Sequence, residues 1–252
     1  MIFAAGIGSR LKPFTLTHPK ALAPVARRPA LQWAIDNLGN TAVDKIVVNA
    51  HHFAEQVKDY INGITTEKLP IEISDESLML LDTGGGLLKA APLLDSDNAV
   101  WLHNADIVTN LDLGQMAREF ASTGPDALLL VADRGSSRRL WFERRTNRLV
   151  GWQNTTTGQT RPENFTPDTK TQYAASFGGI HLVNLPRLMP LLTQYSNEHG
   201  PAFSLTPFYI WAADRLDIRA YTPAAPYRWF DIGTPEKLAA CNAAFADTTG
   251  RP

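Results

Sequence analysis

The chain has 252 residues, 44% hydrophobic and 19% charged, enough apolar material to bury a large core and too much for a disordered protein. A formal net charge of -1 excludes a global basic field, and with it nucleic acid as the main partner, so any anion site must be local. The single cysteine, Cys241, excludes an intramolecular disulfide and a multi-cysteine metal centre, and fits a reducing compartment.

In chain order, the first element is the apolar run Met1–Ala5, too short for a signal-peptide core. No later stretch reaches the length of a membrane span, so a cytoplasmic location with no membrane partner is expected. Because only Met1 to Phe3 precede Ala4, the first strand is expected to be short and frayed. Strand character recurs at Lys45–Asn49, Ala99–His103, Ala127–Ala132 and Gly178–Val183. Pro29–Leu38 opens on a proline suited to a first helical turn and places Leu31, Ala34, Ile35 and Leu38 on one face; Ala54–Ile61 does the same with Val57 and Ile61. Gly84–Gly86 is followed by helical spacing at Leu87, Leu88 and Ala91. Residues 134–171 turn polar and arginine-rich around two short apolar runs, Leu140–Phe142 and Leu149–Trp152, and predict a hairpin with a long loop inserted into the main body. Phe203–Ala212 and Pro235–Phe245 are helical, the second with Thr234 as its cap, and Cys241 is a packed helix residue. The alternation predicts an α/β fold: one domain over 1–252 with a Rossmann-like, mostly parallel mixed sheet and helices on both faces.

Chemistry concentrates first in "AAGIGSR". Gly6 and Gly8 let backbone amides approach a ligand, and Ser9 and Arg10 follow at once, an arrangement suited to an anion. The dinucleotide fingerprint fails because Leu11 stands where its third glycine belongs, which weighs against an NAD-dependent oxidoreductase, and the Gly-Lys-Ser/Thr of a P-loop is absent. Pro13 and Pro19 stiffen the run between Arg10 and Lys20. A solvated surface loop fits these residues equally well on physical grounds alone. Asp106 and Asp231 each follow an apolar strand-like run, where a lone aspartate serves as readily as a cap or turn residue. Gly84–Gly86 fits either a base-reading loop or a flexible turn, and Asn49, His51 and His52 read as polar strand-end positions, with no third ligand to make the histidines a metal site. No Ser-His-Asp or Cys-His arrangement suggests a nucleophile.

"AAGIGSRLKPFTLTHPKAL" resembles the signature of the sugar-phosphate nucleotidyltransferases, the NDP-sugar pyrophosphorylases. "LDTGGGLLKA", "LHNADIV", "FGGIHLV" and "WFDIGTPEKL" follow in that family's order. The resemblance implies Mg²⁺-dependent transfer of a nucleotidyl group from an NTP to a sugar 1-phosphate. Arg10 and Lys20 become the catalytic cations, and Asp106 and Asp231 the metal ligands. Ala4, Ala5, Gly6, Gly8, Ser9, Asn49, Asp82, Thr83 and Gly84 become nucleotide-binding, with Asn154 and Gly179 in a sugar pocket beneath the 134–171 insertion. Chain length, the Thr-Gly-Gly-Gly loop and "VNAHHFAEQV" are similar to the cell-wall-recycling branch that takes UTP and N-acetylmuramate 1-phosphate. GTP with mannose or heptose 1-phosphate is the alternative, and a non-catalytic nucleotide-sugar-binding protein the rival from another class. The hexapeptide repeats of a bifunctional acetyltransferase are absent.

Overall fold

A computed structural model describes residues 1–94 and 99–246. In chain order the elements are β1 (Ile2–Phe3), three one-turn 3₁₀ helices between Ser9 and Leu22, β2 (Pro24–Val25), β3 (Arg28–Pro29), α1 (Ala30–Gly39), β4 (Ile46–Ala50), α2 (Ala54–Ile64), β5 (Ile71–Asp75) and α3 (Asp82–Ala90). They continue with β6 (Ala99–Asn104), β7 (Ile107–Thr109), α4 (Leu113–Thr123), β8 (Ala127–Ala132), β9 (Arg138–Glu143), β10 (Leu149–Asn154), β11 (Thr160–Arg161) and β12 (Gln172–Asn184). The last are α5 (Leu185–His199), α6 (Leu205–Ala212), β13 (Ile218–Tyr221), β14 (Trp229–Asp231) and α7 (Pro235–Phe245).

The main sheet has ten strands. β5, β4, β1 and β6 lie side by side and parallel; β12 runs antiparallel beside β6 and β8, and β13 pairs parallel with β8. This is the mostly parallel mixed sheet expected, and helices cover both faces. Successive residues of each central strand enter opposite cores, as the period of two requires. Met1 and Phe3 join α3, α5 and α6 on one face, while Ile2 and Ala4 join α1, α2 and α4 on the other. Leu128 and Leu129 divide in the same way. A third cluster packs Cys241 and Phe245 of α7 under Leu11, Val25 and Ile232. Full burial of side chains of this size contributes about 1.5–3 kcal/mol each, so the two faces together hold the sheet between its helices.

β1 is a two-residue ladder but is not frayed. His103 N donates to Met1 O at 3.0 Å and Ala105 N to Phe3 O at 3.0 Å, and Met1–Ala5 is buried throughout. Residues 134–171 do form a hairpin, β9 against β10, with β11 added. It extends the sheet from the first half of β12 and buries Phe142 and Leu149 in the α6 core. β12 passes from one set of partners to the other through an irregularity between Phe177 and His181, where Gly179 takes a left-handed φ of 74°. α6 starts at Leu205, later than expected, because the backbone of Phe203 is used elsewhere.

The chain proceeds from β1 through β4 to β5 on one side and then returns to place β6 on the other side of β1. That reversal opens a crevice at the carboxyl ends of β1 and β6, where open α/β sheets bind ligands.

Candidate active site

A cleft of about 620 Å³ occupies this switch point, lined by the loop Ala4–Arg10 together with Lys20, Asn49, Asp82, Thr83 and Asp106. Each glycine of the loop has a different cause. Gly8 has φ 67°, and a Cβ there would lie 2.8 Å from Cβ of Lys20, so only glycine allows the lysine to pass. A Cβ on Gly6 would meet no protein atom within 4 Å, so that glycine faces the cleft. Among the described residues, the N–H groups of Gly6, Ile7 and Gly8 donate to no protein acceptor, whereas the Gly8 carbonyl is occupied by Leu11 N and Thr15 Oγ1, each at 2.9 Å. A row of free amides is an anion cradle.

Arg10 and Lys20 both line the cleft. The Arg10 guanidinium has no ion-pair partner among the described residues, and it passes Gly233, where a Cβ would stand 3.1 Å from its Nη2. Lys20 is nearly enclosed: its Nζ donates to Asp106 Oδ2 and lies 3.9 Å from Asp231 Oδ1. The two aspartates meet because β14 pairs antiparallel with β7, setting Asp231 opposite Ile107 and next to the turn that carries Asp106. Ile232 N closes the junction on Asp106 O at 3.1 Å. Burial works to raise the Asp231 carboxyl, but the hydrogen bond from Lys237 at 2.8 Å and the charges of Lys20 and Lys237 outweigh it and hold it below the ordinary carboxylate value. Two hard oxygen donors around one position, with no third acidic, histidine or cysteine ligand among the described residues, fit Mg²⁺ completed by phosphate and water.

Asp82 and Thr83 stand on the opposite wall, Asp82 with φ 58°. The glycine run behind them corrects an expectation. Its amides are not free to read a base: Gly84 N and Gly85 N both donate to Phe203 O, at 2.7 and 3.2 Å. A Cβ on Gly84 would sit 2.2 Å from the Phe203 ring, and one on Gly85 2.0 Å from Pro201 O. All three glycines are buried, and Gly84 and Gly85 make room for the segment between α5 and α6, which crosses the start of α3 and lends Ala202 to the cleft. Ser204 Oγ donates to Asp82 Oδ2, and Leu205 N to Thr83 Oγ1 at 2.9 Å, fastening that segment to the Asp82–Thr83 wall.

Asn154 and Gly179 are not brought to the cleft wall. Asn154 Oδ1 accepts the amides of Thr156 and Thr157, at 3.0 and 3.3 Å, and closes its own turn. Gly179 lies behind Asn104, whose Nδ2 would be 3.0 Å from its Cβ. His51 and His52 bond backbone carbonyls, those of Glu76 and Thr15. Lys237, Ala202 and Glu76 carried no local signal; their places follow from contacts across the fold. Trp229 gave little more: its Nε1 donates to Gly178 O at 2.9 Å while the Arg134 guanidinium stacks 3.3 Å from its ring.

Comparison with known proteins identifies the family and the fold. N-acetylmuramate alpha-1-phosphate uridylyltransferase of Caulobacter vibrioides is 28% identical over 98% of this chain and 96% of its own length. A putative mannose-1-phosphate guanyltransferase of Sulfolobus acidocaldarius is also 28% identical, over 51% of this chain and 35% of its own. The solved structure of a UDP-glucose pyrophosphorylase complexed with UDP-glucose superposes with a TM-score of 0.77, at 16% identity over 98% of this chain and 97% of the other, and shares the fold. Residues 1–139, which hold the amide cradle, Arg10, Lys20, Asn49 and Asp106, match the family model described as nucleotidyl transferase, and the chain belongs to that family.

Proposed function

We propose that this protein transfers a nucleotidyl group from an NTP to a sugar 1-phosphate, releasing pyrophosphate, with UTP and N-acetylmuramate 1-phosphate as its substrates. The observation that carries the reaction is the meeting of Lys20, Asp106 and Asp231 beside a cradle of free amides. An oxygen of the sugar phosphate attacks the α-phosphorus in line, its new bond forming as the bond to the β-phosphate bridging oxygen breaks, and pyrophosphate leaves with that electron pair. The attacking oxygen is already anionic near neutral pH, so no general base is required. Arg10 and the amides of Gly6 to Gly8 hold the β- and γ-phosphates, and Lys20 neutralises charge between the α-phosphate and the incoming phosphate. Asp106 and Asp231 would hold Mg²⁺, which supplies charge neutralisation to the phosphates.

The choice of UTP and an N-acetylmuramate phosphate is supported by the uridylyltransferase relative that matches nearly the whole of both chains. GTP with mannose or heptose 1-phosphate is the second reading, favoured by the guanyltransferase relative over half the chain. A cytoplasmic place of work accords with the reaction, and among the described residues no helix is long and apolar enough to cross a membrane. Pyrophosphate release across four NTPs and several sugar 1-phosphates tests all of this. UTP with N-acetylmuramate 1-phosphate should be the fastest pair. A preference for GTP with mannose or heptose would replace the substrates and keep the reaction, and silence with every pair would remove the reaction itself. Asp106→Asn should abolish release with the fold intact.

A further inference from the structure

Among the described residues Glu76 is the only carboxylate with no exposure to solvent. It follows β5, does not line the cleft, and is fixed by its own backbone, whose N–H donates to Ala50 O at 2.7 Å. Its Oε1 accepts Asn49 Nδ2 at 2.7 Å, and its Oε2 accepts the backbone N–H of Leu81 at 3.1 Å. Asn49 in turn accepts the N–H of Ala4 on Oδ1, at 2.7 Å. One buried carboxylate therefore ties the first residue of the phosphate loop to the segment that leads into Asp82 and Thr83 on the facing wall. The third glycine of the run belongs to the same device: a Cβ on Gly86 would stand 2.7 Å from Glu76 Oε1 and 2.9 Å from Asn49 Nδ2.

Stability does not account for a carboxylate here, since a buried ion can often be replaced by a packed apolar side chain at little or no loss. Its chemistry does. A carboxylate only accepts, so it turns the NH₂ end of Asn49 toward itself and leaves the carbonyl end for Ala4 N–H. We infer that Glu76 is a positioning residue for the nucleotide: through Asn49 and Leu81 it sets the separation between the phosphate loop and the Asp82–Thr83 wall. The inference rests on the nucleotidyl-transfer reading, which places an NTP across those two walls.

A glutamine at this position has the same shape but one donor end. Either that end faces Leu81 N–H, donor against donor, or it faces Asn49 and turns the asparagine so that its NH₂ opposes Ala4 N–H. The reversed pair Asn49→Asp with Glu76→Gln satisfies every group again. The new carboxylate at position 49 accepts from Ala4 N–H and from the new side-chain amide at position 76, whose carbonyl end accepts from Leu81 N–H.

The experiment measures KM and kcat for NTP and sugar 1-phosphate, and the rise in melting temperature on adding NTP, in wild type, Glu76→Gln and the double variant. A buried donor left without an acceptor corresponds to a rise of about tenfold in NTP KM for Glu76→Gln. The sugar-phosphate KM should stay unchanged, the NTP-induced thermal shift should shrink, and the double variant should recover NTP binding relative to the single. Unchanged NTP KM in Glu76→Gln, or a double variant that binds NTP no better than the single, overturns the assignment. Should the single variant fail to fold, the double variant decides: folded and NTP-binding supports it, and failure in either respect overturns it. If wild type releases no pyrophosphate with any substrate pair, the reaction reading falls, while the thermal shift with NTP still tests the positioning role.

Discussion

Gly85→Ala sets two effects of known size against each other. Gly85 sits inside α3, and replacing a helix-interior glycine by alanine ordinarily stabilises by about 0.5–1 kcal/mol. The new Cβ, however, would stand 2.0 Å from the Pro201 carbonyl oxygen, far inside the ordinary separation of about 3.5 Å between non-bonded atoms. That neighbour is backbone, so no rotamer change relieves the overlap, and overpacking of this kind costs about 1–3 kcal/mol. The clash wins: we expect a net loss of about 1 kcal/mol and a melting temperature lower by about 2–4 °C in a protein of this size. The Pro201–Ser204 segment must lift, which strains the bonds of Gly84 and Gly85 to Phe203 O and moves Ala202 from the cleft wall, so NTP KM should rise with the loss of stability. Gly63→Ala is the matched control, because a Cβ in that exposed turn of α2 meets nothing within 4 Å, and it should raise the melting temperature by about 1–4 °C. The assay is thermal denaturation of both variants with steady-state kinetics at varied NTP. A Gly85→Ala protein melting at or above wild type, with unchanged NTP KM, would refute the claim that the glycine run exists to seat the α5–α6 segment.

Lys20→Met should reduce kcat by about 10²–10³ while leaving the protein folded, because it removes one charged donor from the reacting centre and leaves two carboxylates facing each other; a loss under tenfold in steady-state assays would argue against a role at the α-phosphate. Acid should destabilise the protein through its buried imidazoles. Burial pushes His103 down to about 4 and His181 down to about 3, where the pull of burial is joined by the charge of His103. The unfolded chain takes up these protons first, so stability is full above about pH 6.5 and falls as pH drops toward 4; denaturant titrations at pH 7 and 5 should differ by roughly 2–4 kcal/mol, and His103→Gln should roughly halve the difference. Burial likewise pushes the Cys241 thiol up to about 12, so thiol reagents should label it only after unfolding, and rapid labelling of the native protein would contradict its packing under Phe245 and Leu11.

Periodicity carries local information, and what is local is legible. Lys45–Asn49 and Ala127–Ala132 announce buried strands because both sheet faces are covered, which makes such runs continuously apolar. Pro29–Leu38 and Pro235–Phe245 announce helices through their apolar positions, and the two glycines after β1 announce a turn. Pro235 does hold the first turn of α7, whereas Pro29 falls one residue before α1, in β3, because its extended backbone pairs with Pro24. β5 lacks so clean a pattern, whereas α4 and α5 carry one, with Leu113, Met116 and Phe120 and then Leu185, Leu188 and Leu192 at helical spacing behind the caps Asp112 and Asn184. The hairpin reads in sequence as the cover of a sugar site although its apolar residues face α6. Tertiary structure alone decided the rest. Asp231 reaches Lys20 only because β14 finds β7, and Gly84 to Gly86 are glycine because Phe203, Pro201 and Glu76 arrive from other parts of the chain. A helix or strand face is specified by residues a few positions apart, whereas the atom that fills a glycine's missing side chain, or the cation between two aspartates, comes from a segment whose arrival no local pattern encodes.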